Sequence, residues 1–166
     1  MKRLLLLLPL SSLALLAQTA TIAPAAASGV LGSPISITIN LSGSASPAAL
    51  QFTVTPSTGL TFVSAAAGSA ATSAAKDIQC NAGASFVCIV SGLNVNVIAD
   101  GAVAVLTYTV GASAVGVHTF TIGSTSATNA NADALASAGG SASVTIPIPK
   151  TQVDGSISFT GGVTIL

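Results

Sequence analysis

Residues 34–41, Pro-Ile-Ser-Ile-Thr-Ile-Asn-Leu, alternate between apolar and polar side chains. Successive side chains of a β-strand point to opposite faces, whereas an amphipathic helix repeats its apolar residues every three to four positions. A strand that buries Ile35, Ile37, Ile39 and Leu41 on one face therefore fits this segment, and a helix does not. Because the same alternation returns along the chain, the sequence predicts an all-β protein.

Further strands are predicted wherever this alternation lies between turn-forming residues. Residues 68–75 are predicted to form a loop or a poorly specified edge strand, and no window after the N-terminal segment has the apolar period of an amphipathic helix. About eight or nine strands joined by short turns predict a β-sandwich with jelly-roll topology. After residues 34–41, the predicted strands cover residues 49–55, 60–65, 78–80, 85–90, 93–98, 102–110, 116–122 and 141–148.

The N-terminus has the composition of a secretory signal peptide. Two basic residues, Lys2 and Arg3, precede an apolar stretch of about 14 residues, which is short for a membrane-spanning helix of roughly 20 residues. The small residues 25–27 predict a signal peptide of residues 1–27 that is cleaved before Ser28, with cleavage nearer Ala20 as the alternative. We therefore expect a secreted or cell-surface protein without stable membrane insertion after cleavage.

Removal of residues 1–27 leaves a chain with very little charge. Two lysines and four aspartates remain, a net charge of −2, and glutamate is absent. Without a basic cluster nothing neutralises phosphate groups, so nucleic acid is not an expected partner. Low charge combined with high hydropathy also argues against a disordered chain, despite the abundance of Ala, Ser, Thr and Gly.

Cys80 and Cys88 are the only two cysteines. They flank residues 81–84, Asn-Ala-Gly-Ala, which are predicted to form the turn of a hairpin. In an exported chain an even pair of cysteines favours a disulfide, here across the hairpin. A redox or metal-binding role is not expected, because the chain has no Cys-x-x-Cys motif and no histidine nearby in sequence.

The residues typical of catalysis are largely missing. His118 is the sole histidine and shares the strand register of Phe120 and Ile122, which predicts a partly buried strand residue. The chain has no Gly-x-Ser-x-Gly nucleophile elbow and no two carboxylates close in sequence for glycoside hydrolysis. The protein is therefore predicted not to be an enzyme and to use no cofactor.

Asn129, Asn131 and Asp133 have a spacing that can direct side-chain oxygens onto Ca²⁺. Only one of the three is charged, however, and neither the turn glycine nor the closing acidic residue of a calcium loop is present. A solvated polar turn explains the spacing better, and no metal site is predicted.

Polysaccharide is an alternative partner, because secreted β-sandwiches include carbohydrate-binding modules. A flat sugar-binding surface generally needs exposed aromatic rings, yet the chain has no Trp and one Tyr. Tyr108 shares its predicted inward register with Leu106 and Val110, so Phe159 is the one aromatic residue expected to be exposed. The phenylalanines predicted to lie in the core are Phe52, Phe86 and Phe120.

Seven segments share a further pattern: residues 35–41, 50–54, 59–65, 100–110, 117–122, 129–135 and 143–146. Together they resemble cohesin domains over roughly residues 32–146. The resemblance implies a jelly-roll sandwich, here assigned to residues 28–148, and a non-catalytic function in docking a protein partner. Two departures argue against a dockerin as that partner: the aromatic-Asp-Pro motif after the second strand is absent, and so are the charged residues of dockerin-binding faces.

Docking through a sheet face or a strand edge is expected, without assigned binding residues.

Residues 149–166 begin at the second of two closely spaced prolines and are predicted to form a tail or linker. Ile157, Phe159, Val163 and Ile165 alternate within it, so a strand donated to a neighbouring molecule is a further hypothesis. In that case the protein would be a structural subunit of a surface layer or fibre. The predicted outward positions are Gln51, Thr53, Thr55, Thr107 and Thr109.

Overall fold

A computed structural model describes residues 18–81, 83 and 85–149. Two sheets pack face to face, which confirms the predicted jelly-roll sandwich. One sheet has the strand order β11-β1-β3-β8-β5, and the other has β2-β12-β9-β4-β7-β6, with β10 beside β9. The elements are β1 (Ala20–Pro24), β2 (Ala27–Ser28), β3 (Pro34–Ser42), β4 (Ala49–Thr55), β5 (Leu60–Ala67), α1 (Ser69–Ser73), β6 (Asp77–Cys80), β7 (Phe86–Ser91), β8 (Gly101–Val110), β9 (Gly116–Thr128), β10 (Ala134–Leu135), β11 (Ser137–Gly139) and β12 (Ser141–Ile146).

The core lies between the two sheets and follows the predicted alternation. The four apolar residues of β3 are buried, as are Phe52 of β4, Phe86 of β7 and Phe120 of β9. Tyr108 of β8 packs edge to face on Phe120, with the ring centroids 5.4 Å apart. The aromatic residues therefore hold the two sheets together, as their register predicts.

A bulge in β5 explains why the inward side of this strand is ambiguous in the sequence. The pairing of β5 with β8 shifts between Phe62 and Ser64, so Val63 is the extra residue. Phe62 turns inward, with its ring centroid 4.5 Å from that of Phe86, while Val63 remains 56% exposed. The bulge thus allows two adjacent apolar residues to serve opposite faces.

Two predicted elements are wrong. The loop predicted for residues 68–75 contains the short helix α1, whose small residues fit closely against β8. A β-carbon on Gly68 would overlap the carbonyl oxygen of Ala102. The strand predicted for residues 93–98 is instead a segment outside both sheets, with a bend at Leu93 and Asn94. Asn94 and Asn96 bond inward, while Leu93, Val95 and Val97 face solvent and Ile98 is buried.

The N-terminal boundary of the sandwich precedes the predicted residue 28. β1 lies between β3 and β11, antiparallel to the former and parallel to the latter. Ala20 and Ile22 are fully buried. The position of signal cleavage stays a prediction, but a cut before Ser28 would remove β1, whereas a cut nearer Ala20 would leave most of it in place. The predicted tail, apart from Pro149, lies outside the described residues.

The described residues contain no helix that is long and apolar enough to cross a bilayer.

Replacing Tyr108 with phenylalanine is expected to stabilise the protein. The Tyr108 hydroxyl is buried without a hydrogen-bond partner among the described residues. A buried polar group without a partner costs about 1 kcal/mol or more. Tyr108→Phe should therefore raise the free energy of unfolding by about 1 kcal/mol, as measured by chemical denaturation. A loss of stability would mean that the hydroxyl has a partner.

The same hydroxyl predicts a weakening of the fold at high pH. Burial raises the pKa of the Tyr108 phenol above its ordinary value of 10.0. The folded protein therefore holds this proton more tightly than the unfolded chain does, and stability is unaffected below about pH 10. Above that pH the free energy of unfolding should fall, and Tyr108→Phe should remove this part of the pH dependence.

Candidate functional site

The outer face of the seven-stranded sheet has a continuous row of exposed side chains at its centre. The row crosses β9, β4, β7 and β6 through Ser126, Gln51, Ile89 and Gln79, because each is the register partner of the next. All four are exposed. An apolar side chain thus lies between two glutamine amides, with a serine hydroxyl beyond one of them.

Ile89 is the centre of this surface, which we call the Ile89 face. The neighbouring residues Cys88 and Val90 are fully buried, whereas Ile89 points outward and is 44% exposed. Three shallow depressions of about 190, 190 and 380 Å³ lie on this sheet, and Ile89 lines each of them. A branched apolar side chain surrounded by shallow depressions and amides is the kind of feature that anchors a protein interface.

The Ile89 face has almost no charge. Among the residues of β4, β6, β7 and β9, Asp77 is the only carboxylate, and these strands contain no Lys or Arg. The Asp77 carboxylate accepts a hydrogen bond of 2.8 Å from the N–H of Ile78. The remaining outward groups are mainly hydroxyls, including those of Thr53 and Thr55. Recognition here would depend on shape and hydrogen bonds, with little contribution from long-range charge.

The structure contains the predicted disulfide between Cys80 and Cys88. The two cysteines are paired residues of β6 and β7, with their Cα atoms 4.1 Å apart. Gln79 and Ile89 are the immediate sequence neighbours of these cysteines and form the adjacent pair. The covalent link therefore holds the β6 edge of the Ile89 face in register.

Removing this disulfide should weaken the fold moderately. Closing so short a loop restricts the unfolded chain by about 2 to 3 kcal/mol. The double variant Cys80→Ser/Cys88→Ser should lower the free energy of unfolding by about that amount, measured by denaturation without reductant. If the disulfide were absent, adding reductant would leave the stability of the unmodified chain unchanged.

His118 joins two loops at one end of the sandwich. Its Nε2 lies 3.1 Å from the carbonyl oxygen of Ala114, so this nitrogen donates. Its Nδ1 then accepts from the hydroxyl of Ser57, at 3.1 Å. In a Ser-His-Asp triad the serine bonds Nε2 and a carboxylate accepts from Nδ1, whereas here the serine lies at Nδ1 and a backbone carbonyl at Nε2. The half-buried strand histidine predicted from the sequence is confirmed, and its contacts are those of a link between loops.

The Asn129 turn satisfies its own polar groups. The side-chain oxygen of Asn129 accepts from the backbone N–H groups of Asn131 and Asp133, both at 2.9 Å. Its amide nitrogen donates to the carboxylate of Asp133 at 3.1 Å. These bonds are those of a closed polar turn, and the described residues contain no cluster of three or more His, Cys, Asp or Glu suited to a metal.

The predicted outward residues divide between two opposite faces. Gln51 and Thr55 are exposed on the Ile89 face, whereas Thr109 is exposed on the five-stranded sheet and Thr107 is half-buried there.

Ile89 was not predicted from the sequence as an outward residue, because residues 86–90, Phe-Val-Cys-Ile-Val, form a continuous apolar run. The outward position can be identified from the neighbouring strand β6, which does alternate. Its polar residue Gln79 pairs with Ile89, so Ile89 lies on the same outer face.

The aromatic residues do not form a sugar-binding platform in the part of the chain that the structure describes. Tyr108, Phe52, Phe86 and Phe120 are fully or almost fully buried. Phe159, the aromatic residue expected to be exposed, lies outside the described residues. The Ile89 face therefore offers hydroxyls, amides and one branched apolar side chain, but no ring on which a sugar could stack.

No protein-family model matches the sequence, and a search of curated proteins finds no relative. Solved structures, however, match over most of the chain. The sixth cohesin from scaffoldin B of Acetivibrio cellulolyticus, solved in complex with a Cel5 dockerin mutant, is 20% identical. It superposes with a TM-score of 0.67 over 77% of this chain and 99% of that one.

Two other structures extend the similarity to distant organisms. A non-cellulosomal cohesin from the archaeon Archaeoglobus fulgidus is 14% identical, with a TM-score of 0.62 over 76% of this chain and 91% of that one. A type I cohesin–dockerin complex from Clostridium thermocellum is 12% identical, with a TM-score of 0.63 over 78% and 95%. This chain has the fold of cohesin domains, as the pattern of its strands predicts.

Proposed function

We propose that this protein is a secreted, non-catalytic module that docks a protein partner through the Ile89 face. The observation that carries the proposal is the row in which exposed Ile89 lies between Gln51 and Gln79 on three paired strands. Ladder hydrogen bonds and a disulfide fix the backbone of these strands before a partner arrives, so the entropy cost of binding is mainly that of ordering the side chains.

The chemistry of the Ile89 face restricts the kind of partner. An apolar centre with a rim of hydroxyls and amides suits a partner that presents an apolar side chain and hydrogen-bonding groups. Because Asp77 is the only carboxylate on these strands, the partner needs no dense positive patch. Binding should therefore change little between low and moderate salt.

The similar structures support a protein as the partner class. Two of the three cohesins compared above were solved in complex with dockerins, so this sandwich can carry a docking face for another protein. The charged residues expected of a dockerin-binding face are missing here. We therefore expect a partner whose contact surface is less charged than that of a dockerin.

Capture from the culture medium of the source organism tests the proposal. The immobilised chain beginning at Gln18 should retain a protein that Ile89→Asp loses, because a carboxylate would be desolvated at the centre of the interface. The matched control is Thr109→Asp, which adds the same charge to the opposite sheet and should retain the protein. Truncating a central anchor residue costs about 2 kcal/mol or more, which is about 30-fold in Kd.

Three results would contradict this assignment. One is equal loss of the captured protein in both variants, and another is capture that Ile89→Asp leaves unchanged. The third is retention of the chain on an insoluble polysaccharide without any protein partner, which would favour the carbohydrate-binding alternative. Thermal melting of both variants checks that each remains folded.

A further inference from the structure

Leu93, Val95 and Val97 expose their apolar side chains, whereas the asparagines between them bond toward the protein and Ile98 anchors the end of the segment in the core. Leu93, Val95 and Val97 are 110%, 67% and 49% exposed. Asn94 and Asn96, which alternate with them, bond to the main body of the chain. This arrangement reverses the usual burial of residue types in a half-buried strand, and we call residues 93–98 the inverted segment.

Side-chain hydrogen bonds hold the inverted segment in place. The Asn94 amide nitrogen donates to the carbonyl of Ala75 at 2.9 Å, and its oxygen accepts from the N–H of Asn96 at 3.0 Å. The ammonium group of Lys76, a residue only 4% exposed, donates to the carbonyl of Asn94 at 2.8 Å. These hydrogen bonds fix a conformation in which three apolar side chains remain exposed to solvent.

The backbone of the inverted segment is bonded on one side only. The carbonyl of Asn94 and the N–H groups of Asn96 and Ile98 bond inward, the last to the carbonyl of Pro47 at 2.7 Å. Leu93 and Asn94 form a bend, whereas residues 95–98 have neither a turn nor a bend. In such an extended stretch, neighbouring residues direct their backbone groups to opposite sides. Val95 and Val97 therefore direct theirs away from the protein, and no described residue hydrogen bonds to either N–H.

An extended backbone with one open side and exposed branched side chains can accept an added strand. We propose that the inverted segment binds residues 156–166 of a second copy of this chain in that way. Ile157 and Phe159 of that segment alternate with serines, Val163 and Ile165 alternate around Thr164, and the segment contains no charged residue. Its apolar side chains would cover Leu93, Val95 and Val97.

The inverted segment and the end of β12, from which the chain continues toward the donor residues, lie at opposite ends of the sandwich. β8 begins at Gly101, shortly after the inverted segment, and ends at Val110. The side chains of Val110 and Ile146 meet at Gly29, so the chain leaves β12 beside the far end of β8. Ten strand residues span about 33 Å. A contact between two different surfaces at opposite ends joins copies head to tail and does not close into a dimer.

Light scattering at increasing concentration tests this assembly. The chain of residues 18–166 should show an average mass that rises above that of one copy. A chain ending at Pro149 should keep the mass of one copy throughout, and so should Val95→Pro, which lacks the outward N–H but retains the inward bonds of Asn96. Val95→Ile is the matched control, because it keeps both the N–H and the apolar side chain, and it should still associate.

Hydrogen exchange identifies the contact even if Val95→Pro fails to fold. A synthetic peptide of residues 153–166 should slow exchange at the amides of Val95 and Val97 in the chain ending at Pro149, whereas a scrambled peptide should not. Absence of both association and peptide protection would overturn the proposal. The proposal would also be overturned if the chain of residues 18–166 kept the mass of one copy while its Val95 and Val97 amides exchanged more slowly than those of the chain ending at Pro149. The tail would then bind its own copy. Ile89→Asp should leave the association unchanged, so this test is independent of docking through the Ile89 face.

Discussion

A chain that begins at Ser28 is expected to be far less stable than one that begins at Gln18. Both chains retain β3 and all later strands, but only the longer one retains β1 between β3 and β11. The shorter chain also lacks Ala27, the first of the two residues of β2. Loss of the buried Ile22 side chain alone costs about 2 to 5 kcal/mol, and domains of this size are stable by only about 5 to 15 kcal/mol. Loss of the strand also leaves β3 with an open edge.

Denaturant titration of the two chains provides the measurement. Ile22→Ala in the longer chain separates the contribution of this side chain from that of the strand, and it should fall between the two. Equal stability of the two chains would mean that β1 does not contribute to the fold. If the protein is secreted as proposed, mass spectrometry of the mature chain should accordingly find an N-terminus at or before Ala20.

Gly139→Ala is expected to disrupt the same region by a different physical cause. β11 crosses so close to β9 that a β-carbon on Gly139 would overlap the carbonyl oxygen of Ile122. That oxygen belongs to the backbone of a paired strand, so it cannot move aside as the end of a flexible side chain can. We expect a loss of about 3 kcal/mol in the free energy of unfolding, typical of severe overpacking.

Gly123→Ala is the matched control for this substitution. Gly123 lies on β9 next to Ile122, but a β-carbon there would have no neighbour within 4 Å. The expected change is within about 0.5 kcal/mol, as for other substitutions without a specific cost. Similar losses in the two variants would assign the effect to β-strand glycines in general and would contradict the close approach at residue 139.

Local alternation was sufficient to predict the central strands of both sheets. β3, β4, β8 and the first half of β9 have one apolar and one polar face, because one side of each strand lies against the core. The buried aromatic residues and the disulfide follow from the same register. These features depend on side chains a few residues apart, which is the range over which a single sequence is informative.

Features that depend on distant partners were not predicted. β1 contains Ile22 within a row of small residues, and its place in the sheet depends on pairing with Ser42 and Ser137 far along the chain. The Ile89 face depends on which strand lies beside β7. The inverted segment has the alternating sequence of a strand, but its polar residues face the protein and its apolar residues face solvent. Asn94 is held in this orientation because it accepts hydrogen bonds from Lys76 and from Asn96.

The parallel pairing of β1 with β11 sets a time order for folding. Ala20 is among the first described residues to leave the ribosome, while its partner Ser137 leaves only after β2 to β10 have been made. Contacts of such large sequence separation form slowly, because a long loop must close before they are gained. We expect the nascent chain to complete its sandwich only after β11 and β12 have been made, and such delayed completion is compatible with export of an unfolded chain.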